Sequence, residues 1–213
     1  MEAGDYSLTA PDTALAAPSD HGLRVPYYCE ENVWRLAYRK KHEFPGDRFW
    51  VVFISNTIKN VPMFHQKASD DPSKSVSWDY HVILLAAHAS QPGVCVYDVD
   101  SRLSYPCPLA EYMQQSFPYE WPMPFAPLFR VVEADIYLQC FASDRMHMYN
   151  REKGTWNAPP PNYAPIQSGQ ASSTSNLEHY LNFVERPNFH EVDMNAFGTI
   201  LTKQQLAAAA FAG

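Results

Sequence analysis

Two apolar runs, residues 76–87 (VSWDYHVILLAA) and 94–100 (VCVYDVD), are joined by a short connection that contains Pro92–Gly93. Both are rich in β-branched residues, which suit a pleated surface. A short glycine-containing link between two such runs is the sequence signal of a β-hairpin. Residues 49–55 (FWVVFIS) read as a further buried strand and residues 61–66 as a shorter one. Upstream, residues 29–41 hold no Pro or Gly, and Val33, Leu36, Ala37 and Lys40 share one helical stripe that Trp34 and Tyr38 widen. Glu30 and Glu31 fall in the first turn and Arg39, Lys40 and Lys41 in the last, which suits the helix dipole at both ends. A helix followed by a run of antiparallel strands and then mixed elements is the α+β class.

The rest of the chain reads more weakly. Residues 1–24 are rich in Ala, Pro, Ser and Asp without periodicity and are expected to be a flexible tail. Residues 25–213 are expected to form one domain, since a chain of 213 residues buries about 70% of its surface in a single core. Prolines break up residues 103–128, where one helical turn is expected near 109–115. Residues 129–133 and 197–201 are expected as strands. Asp135 is expected to cap a short helix, Asn176 a helix from Leu177 to Val184, and Thr202 with Gln205 to form a capping box. A mobile loop is expected at about 164–175, beside a low-complexity run.

Composition excludes several classes of function. The net charge of −7 argues against a nucleic-acid partner, which calls for a basic face. No apolar run approaches the roughly 20 residues of a membrane span, and the N-terminus has no signal-peptide pattern. The reading is therefore a cytosolic protein, small enough to enter the nucleus, with no membrane partner. Cys29, Cys95, Cys107 and Cys140 form no CxxC pair, and the histidines show no ligand spacing, so neither a metal nor a disulfide is expected.

One constellation carries chemistry. A hairpin centred between Ala89 and Ser90 places His81 opposite Asp98, with Cβ atoms about 5 Å apart on one face. Asp100 competes with Asp98 if the register slips, and Asp79 shares the face of His81. Cys29 opens the helix, where backbone N–H groups and the dipole favour a thiolate. The three make a Cys–His–Asp triad: nucleophile, acid/base and orienting carboxylate. The chain order, with cysteine on a helix and the partners on strands, is that of papain-like and transglutaminase-like enzymes. The polar segment 143–147 (SDRMH) between apolar flanks reads either as a helix exit with one ion pair or as a substrate-facing loop.

The stretches YCEENVWRL (28–36), WDYHVILL (78–85), YDVD (97–100), FRVVEADIYLQCFASDRMHM (129–148) and TWNAPPPNY (155–163) resemble the protein N-terminal glutamine amidohydrolase family of the N-degron pathway. The resemblance runs over roughly residues 27–206, and only the tails depart from it. It implies an α–β–α sandwich around a mainly antiparallel sheet, related to the papain and transglutaminase group, in a monomer that needs no cofactor. It places the catalytic residues on Cys29, His81 and Asp98. It implies hydrolysis of the side-chain amide of N-terminal Gln to Glu and ammonia through a Cys29 thioester, upstream of arginylation, on proteins and peptides with a free N-terminal Gln. Recognition of a free α-ammonium calls for a carboxylate or other acceptor, and Glu30, Asp79 and Asp144 are candidates that the sequence does not rank. Two other readings stay open: a peptidase or transglutaminase on the same triad, and a non-catalytic binder of N-terminal Gln.

Overall fold

The computed structural model describes residues 7–184, 197–209 and 211. Its elements are α1 (Ala10–Ala16), α2 (Cys29–Glu43), β1 (Arg48–Ser55), β2 (Val61–Met63), β3 (Val76–Trp78), β4 (His81–Ala87), β5 (Val94–Tyr97), β6 (Cys107–Pro108), α3 (Leu109–Ser116), β7 (Leu128–Glu133), α4 (Ala134–Cys140), β8 (Tyr149–Asn150), β9 (Thr155–Trp156), α5 (Leu177–Tyr180), β10 (Thr199–Thr202) and α6 (Lys203–Ala208). The main sheet has the order β10-β7-β1-β4-β5-β6 with antiparallel pairing throughout, so the molecule is α+β. Among the described residues no helix is long and apolar enough to cross a membrane.

The period of two along the central strands sorts their side chains into two cores. Val51, Phe53, Val82, Leu84 and Ala86 face α2 and α4, packing against Val33, Leu36, Ala37 and Tyr137. Trp50, Val52, Ile54, Ile83 and Leu85 face the other way, onto Tyr112, Met113 and Phe117 around α3 and Leu206 of α6. Both faces of β1 and β4 are thus covered, which is why these strands read as continuous apolar runs.

Several expectations need correction. The run 76–87 is two strands: β3 pairs with β2 in a separate ribbon, and β4 enters the main sheet. The break falls at Asp79–Tyr80, where the Asp79 carboxylate accepts the Tyr80 backbone N–H at 2.9 Å. The hairpin register is also shifted, with Ala87 paired to Val94 and Leu84 to Tyr97. Asp47 fixes this end of β4 by accepting the Ala89 N–H at 2.9 Å and pairing with His88. His81 is not opposite Asp98 in a ladder: β5 ends at Tyr97, and this register, if continued, would set Asp98 opposite Ile83.

The segment read as a tail is structured over its described part. Thr9 and Asp12 form a capping box at α1, and Ala10, Ala14 and Leu23 are buried. Arg39 donates to the Ala17 carbonyl at 2.6 Å and Arg35 to that of Leu23 at 2.9 Å, so α1 and the following turn are held on α2. The loop at 164–175 is tied at its start: Ile166 is buried, and the Trp34 indole donates to Ser168 at 3.3 Å. Asp135 pairs with Lys41 rather than capping α4, and Asn176 bridges Ala142 N and the Cys140 carbonyl rather than capping α5. The Thr202–Gln205 capping box is present as expected.

Gly198 allows the close approach of β10 to β7. It sits at φ +65°, and a Cβ there would lie 1.9 Å from the Val131 carbonyl oxygen. The left-handed backbone and the clash act together, so Gly198→Ala is expected to destabilise the fold by roughly 2–5 kcal/mol. A urea midpoint equal to that of the parent protein would refute this account.

Candidate active site

Cys29 is the first residue of α2, and the chain reaches it through a fixed entry. Asn32 clamps that entry: its side chain accepts from Val25 N at 2.9 Å and donates to Val25 O at 2.8 Å. Tyr28 is fully buried and donates its hydroxyl to the Ala158 carbonyl at 3.2 Å. No side chain caps the helix end itself.

His81 is the first residue of β4 and Asp98 the first residue beyond β5. His81 Nε2 lies 3.1 Å from Asp98 Oδ1, with both side chains 2% exposed. The approach is close but does not meet hydrogen-bond alignment, so at rest the two groups are in electrostatic contact without a directional hydrogen bond. Asp98 is aimed by two further donors, Tyr112 OH on Oδ2 at 2.8 Å and Asp100 N on Oδ1 at 2.9 Å. The Trp78 indole stacks on the imidazole at 5.8 Å between centroids. Burial opposes charge on both partners, but mutual attraction wins: the His81 pKa is raised, and that of Asp98 is lowered with help from Tyr112.

Cys29 and His81 line one cleft of about 360 Å³, together with Trp78, Asp79, Tyr80, Asp100, His147 and Asn157. The backbone of Val82, the residue after His81, acts on the Cys29 thiol and lowers its pKa. Here the expected thiolate needs correction. Cys29 keeps partial exposure, yet burial of its sulfur, followed by the charges of Glu30 and Asp100, pushes the thiol well above its ordinary value. The dense surroundings and two carboxylates outweigh the helix end.

The three candidates for an ammonium partner separate clearly. Asp79 is exposed and lines the cleft. Glu30 is fully buried beside Cys29, off the cleft wall. Asp144 lies off the wall as well and accepts Met146 N at 3.0 Å, within its own turn.

Sequence reasoning missed Tyr112, Trp78 and Tyr80, because nothing in local spacing links them to Cys29, His81 and Asp98. The segment 143–147 serves both of its readings. His147 faces the cleft, and Arg145 is a buried ion-pair partner that grips Glu31 with two bonds of 2.8 Å. Among the described residues no group of three His, Cys, Asp or Glu side chains could hold a metal ion. None of the four cysteines is in a disulfide.

The family model for N-terminal glutamine amidase matches residues 24–210. The chain is 42% identical over 166 residues to protein N-terminal glutamine amidohydrolase of Bos taurus, covering 75% of this chain and 77% of the relative. The Homo sapiens protein of the same name is 40% identical over 75% of this chain and 78% of its own length. The Arabidopsis thaliana protein is 40% identical over 78% of each. With the match reaching from Arg24, at the cleft, past the last strand of the sheet, the chain belongs to the N-terminal glutamine amidase family.

Proposed function

We infer that this protein hydrolyses the side-chain amide of an N-terminal glutamine, giving N-terminal glutamate and ammonia. The observation that carries the reading is the placement of Cys29 and His81 on one cleft, with Asp98 3.1 Å behind the imidazole. Because the thiol is held protonated, His81 acts first as a general base. Its ring nitrogen away from Asp98 takes the thiol proton as sulfur attacks the carboxamide carbon. The Cys29 backbone N–H, at the first residue of the helix, is the donor we assign to the oxyanion. His81 then returns the proton to the departing nitrogen, so that ammonia leaves and a thioester remains. Water, deprotonated by His81, cleaves the thioester and restores the thiol. Asp98 holds the imidazole and supports its charged form. The helix-borne cysteine and strand-end histidine support kinship with the papain and transglutaminase group, and the new N-terminal glutamate is a fit substrate for arginylation.

Asp79 is the acceptor we assign to the substrate α-ammonium, since it alone of the three candidates lines the cleft. The test is a Gln-initiated peptide beside its N-acetylated and Asn-initiated twins, followed by ammonia release and peptide mass. Only the free Gln peptide is expected to react. Asp79→Asn is expected to lower kcat/KM for it about tenfold, the worth of one hydrogen bond to a charged group. Absence of reaction in folded protein would sink the amidase reading, and backbone cleavage would replace it with the peptidase.

A further inference from the structure

Glu30 stands next to the nucleophile, and the reaction as written does not use it. It is fully buried at the start of α2. Its Oε2 accepts the Tyr80 hydroxyl at 3.0 Å and the weak S–H donor of Cys29 at 3.7 Å. Its Oε1 is buried without a hydrogen-bond partner among the described residues, with His147 Nε2 3.5 Å away. Arg145 holds the neighbouring Glu31 instead. A buried carboxylate without a cation is strongly disfavoured. Burial, and after it the charge of Glu31, pushes the Glu30 pKa up to about 8.

The groups facing Glu30 come from four elements. They are Cys29 and Glu31 on its own helix, Tyr80 ahead of β4, Tyr137 of α4, whose hydroxyl donates to the Glu30 carbonyl at 3.2 Å, and His147 in the turn after α4. Burial lowers the His147 pKa, so that imidazole is neutral at neutral pH and offers no balancing charge.

We propose that Glu30 is a positioning residue for the nucleophile: Cys29 becomes a thiolate more readily while Glu30 keeps its proton. With Glu30 fully buried and Cys29 beside it, the space around the two atoms accommodates one negative charge more readily than two. A neutral carboxyl orients the thiol through Oε2, whereas an ionised one sets a like charge 3.7 Å from sulfur and depletes the thiolate tenfold or more. The proposal rests on reading Cys29 as the nucleophile. It predicts a Cys29 thiolate held back at alkaline pH, where Glu30 is ionised, and released when that charge is removed.

The test is the pH dependence of iodoacetamide alkylation at Cys29 in the full chain, read by mass spectrometry of the Cys29 peptide so that the other cysteines do not interfere. It needs no glutamine substrate, so failure of the amidase reading and failure of this proposal are separable. Glu30→Gln, an isosteric neutral side chain, is expected to lower the midpoint of Cys29 reactivity by a pH unit or more, giving about tenfold faster alkylation near pH 9. Tyr80→Phe removes the donor that steadies the Glu30 anion, keeps Glu30 protonated to higher pH, and is expected to shift the midpoint in the same direction by less. A Glu30→Gln profile superimposed on the parent, in protein with the parent circular dichroism, overturns the proposal. If Glu30→Gln does not fold, an unshifted Tyr80→Phe profile overturns it alone.

Discussion

Alanine in place of Cys29 is expected to lower ammonia release from a Gln-initiated peptide by about 10⁴-fold or more, the usual loss when a nucleophile is deleted. The thermal midpoint should move little, because Cys29 is partly exposed at the cleft and a small side chain replaces a small one. His81→Ala should lose a similar factor, since the thiol is held protonated and has no other base on the cleft in direct line with Asp98. The double variant should be no worse than either single one: the two residues act in one proton transfer, and removing either disables it. Ammonia assays on the three variants decide the matter. Normal turnover in either single variant, or multiplicative losses in the double, would break the triad.

Arg145→Met should be the most damaging substitution away from the chemistry. Arg145 and Glu31 are 1% and 0% exposed and joined by two charge-assisted bonds. The guanidinium also donates to the carbonyls of Pro161 and Tyr163, at 3.3 and 2.9 Å. Removing it leaves Glu31 charged and buried, which costs about 3–5 kcal/mol. Arg145→Met combined with Glu31→Gln should recover a substantial part of that loss, because the uncompensated charge goes too. Urea unfolding of the parent, both single variants and the double closes the cycle. A loss below about 1 kcal/mol for Arg145→Met would show that the pair does not hold the helix start to the 161–164 segment.

What the sequence told and withheld follows from the range of each signal. Helix α2 and strand β1 were legible, because periodicity and helix-end charge are local properties. The hairpin register was not, because the alternating pattern continues through Tyr97-Asp98-Val99-Asp100 although the chain leaves the sheet after Tyr97. His81 and Asp98 meet all the same: the strand end delivers the carboxylate where the ladder was expected to. The break at Asp79–Tyr80 was hidden for a related reason, since one apolar run served two sheets. The fold of residues 9–24 was missed because Thr9 and Asp12 form their box with aspartate in place of the more familiar Glu or Gln, next to a proline that belongs to a helix start. The thiol shift was beyond any one-dimensional reading, as it depends on how many atoms crowd the sulfur.

The proposed triad draws one member from a helix, one from the first residue of a strand and one from the bend after another strand. No two of them are neighbours in the chain, so nothing but the finished helix–sheet contact brings them together. A nascent polypeptide emerging from the ribosome therefore exposes its cysteine long before the imidazole and carboxylate exist to arm it. The cysteine has no catalytic partners during synthesis, and on the proposed mechanism catalysis begins only with closure of the tertiary structure. Turnover is in this sense a gauge of native packing, and any partly folded form of the enzyme is silent.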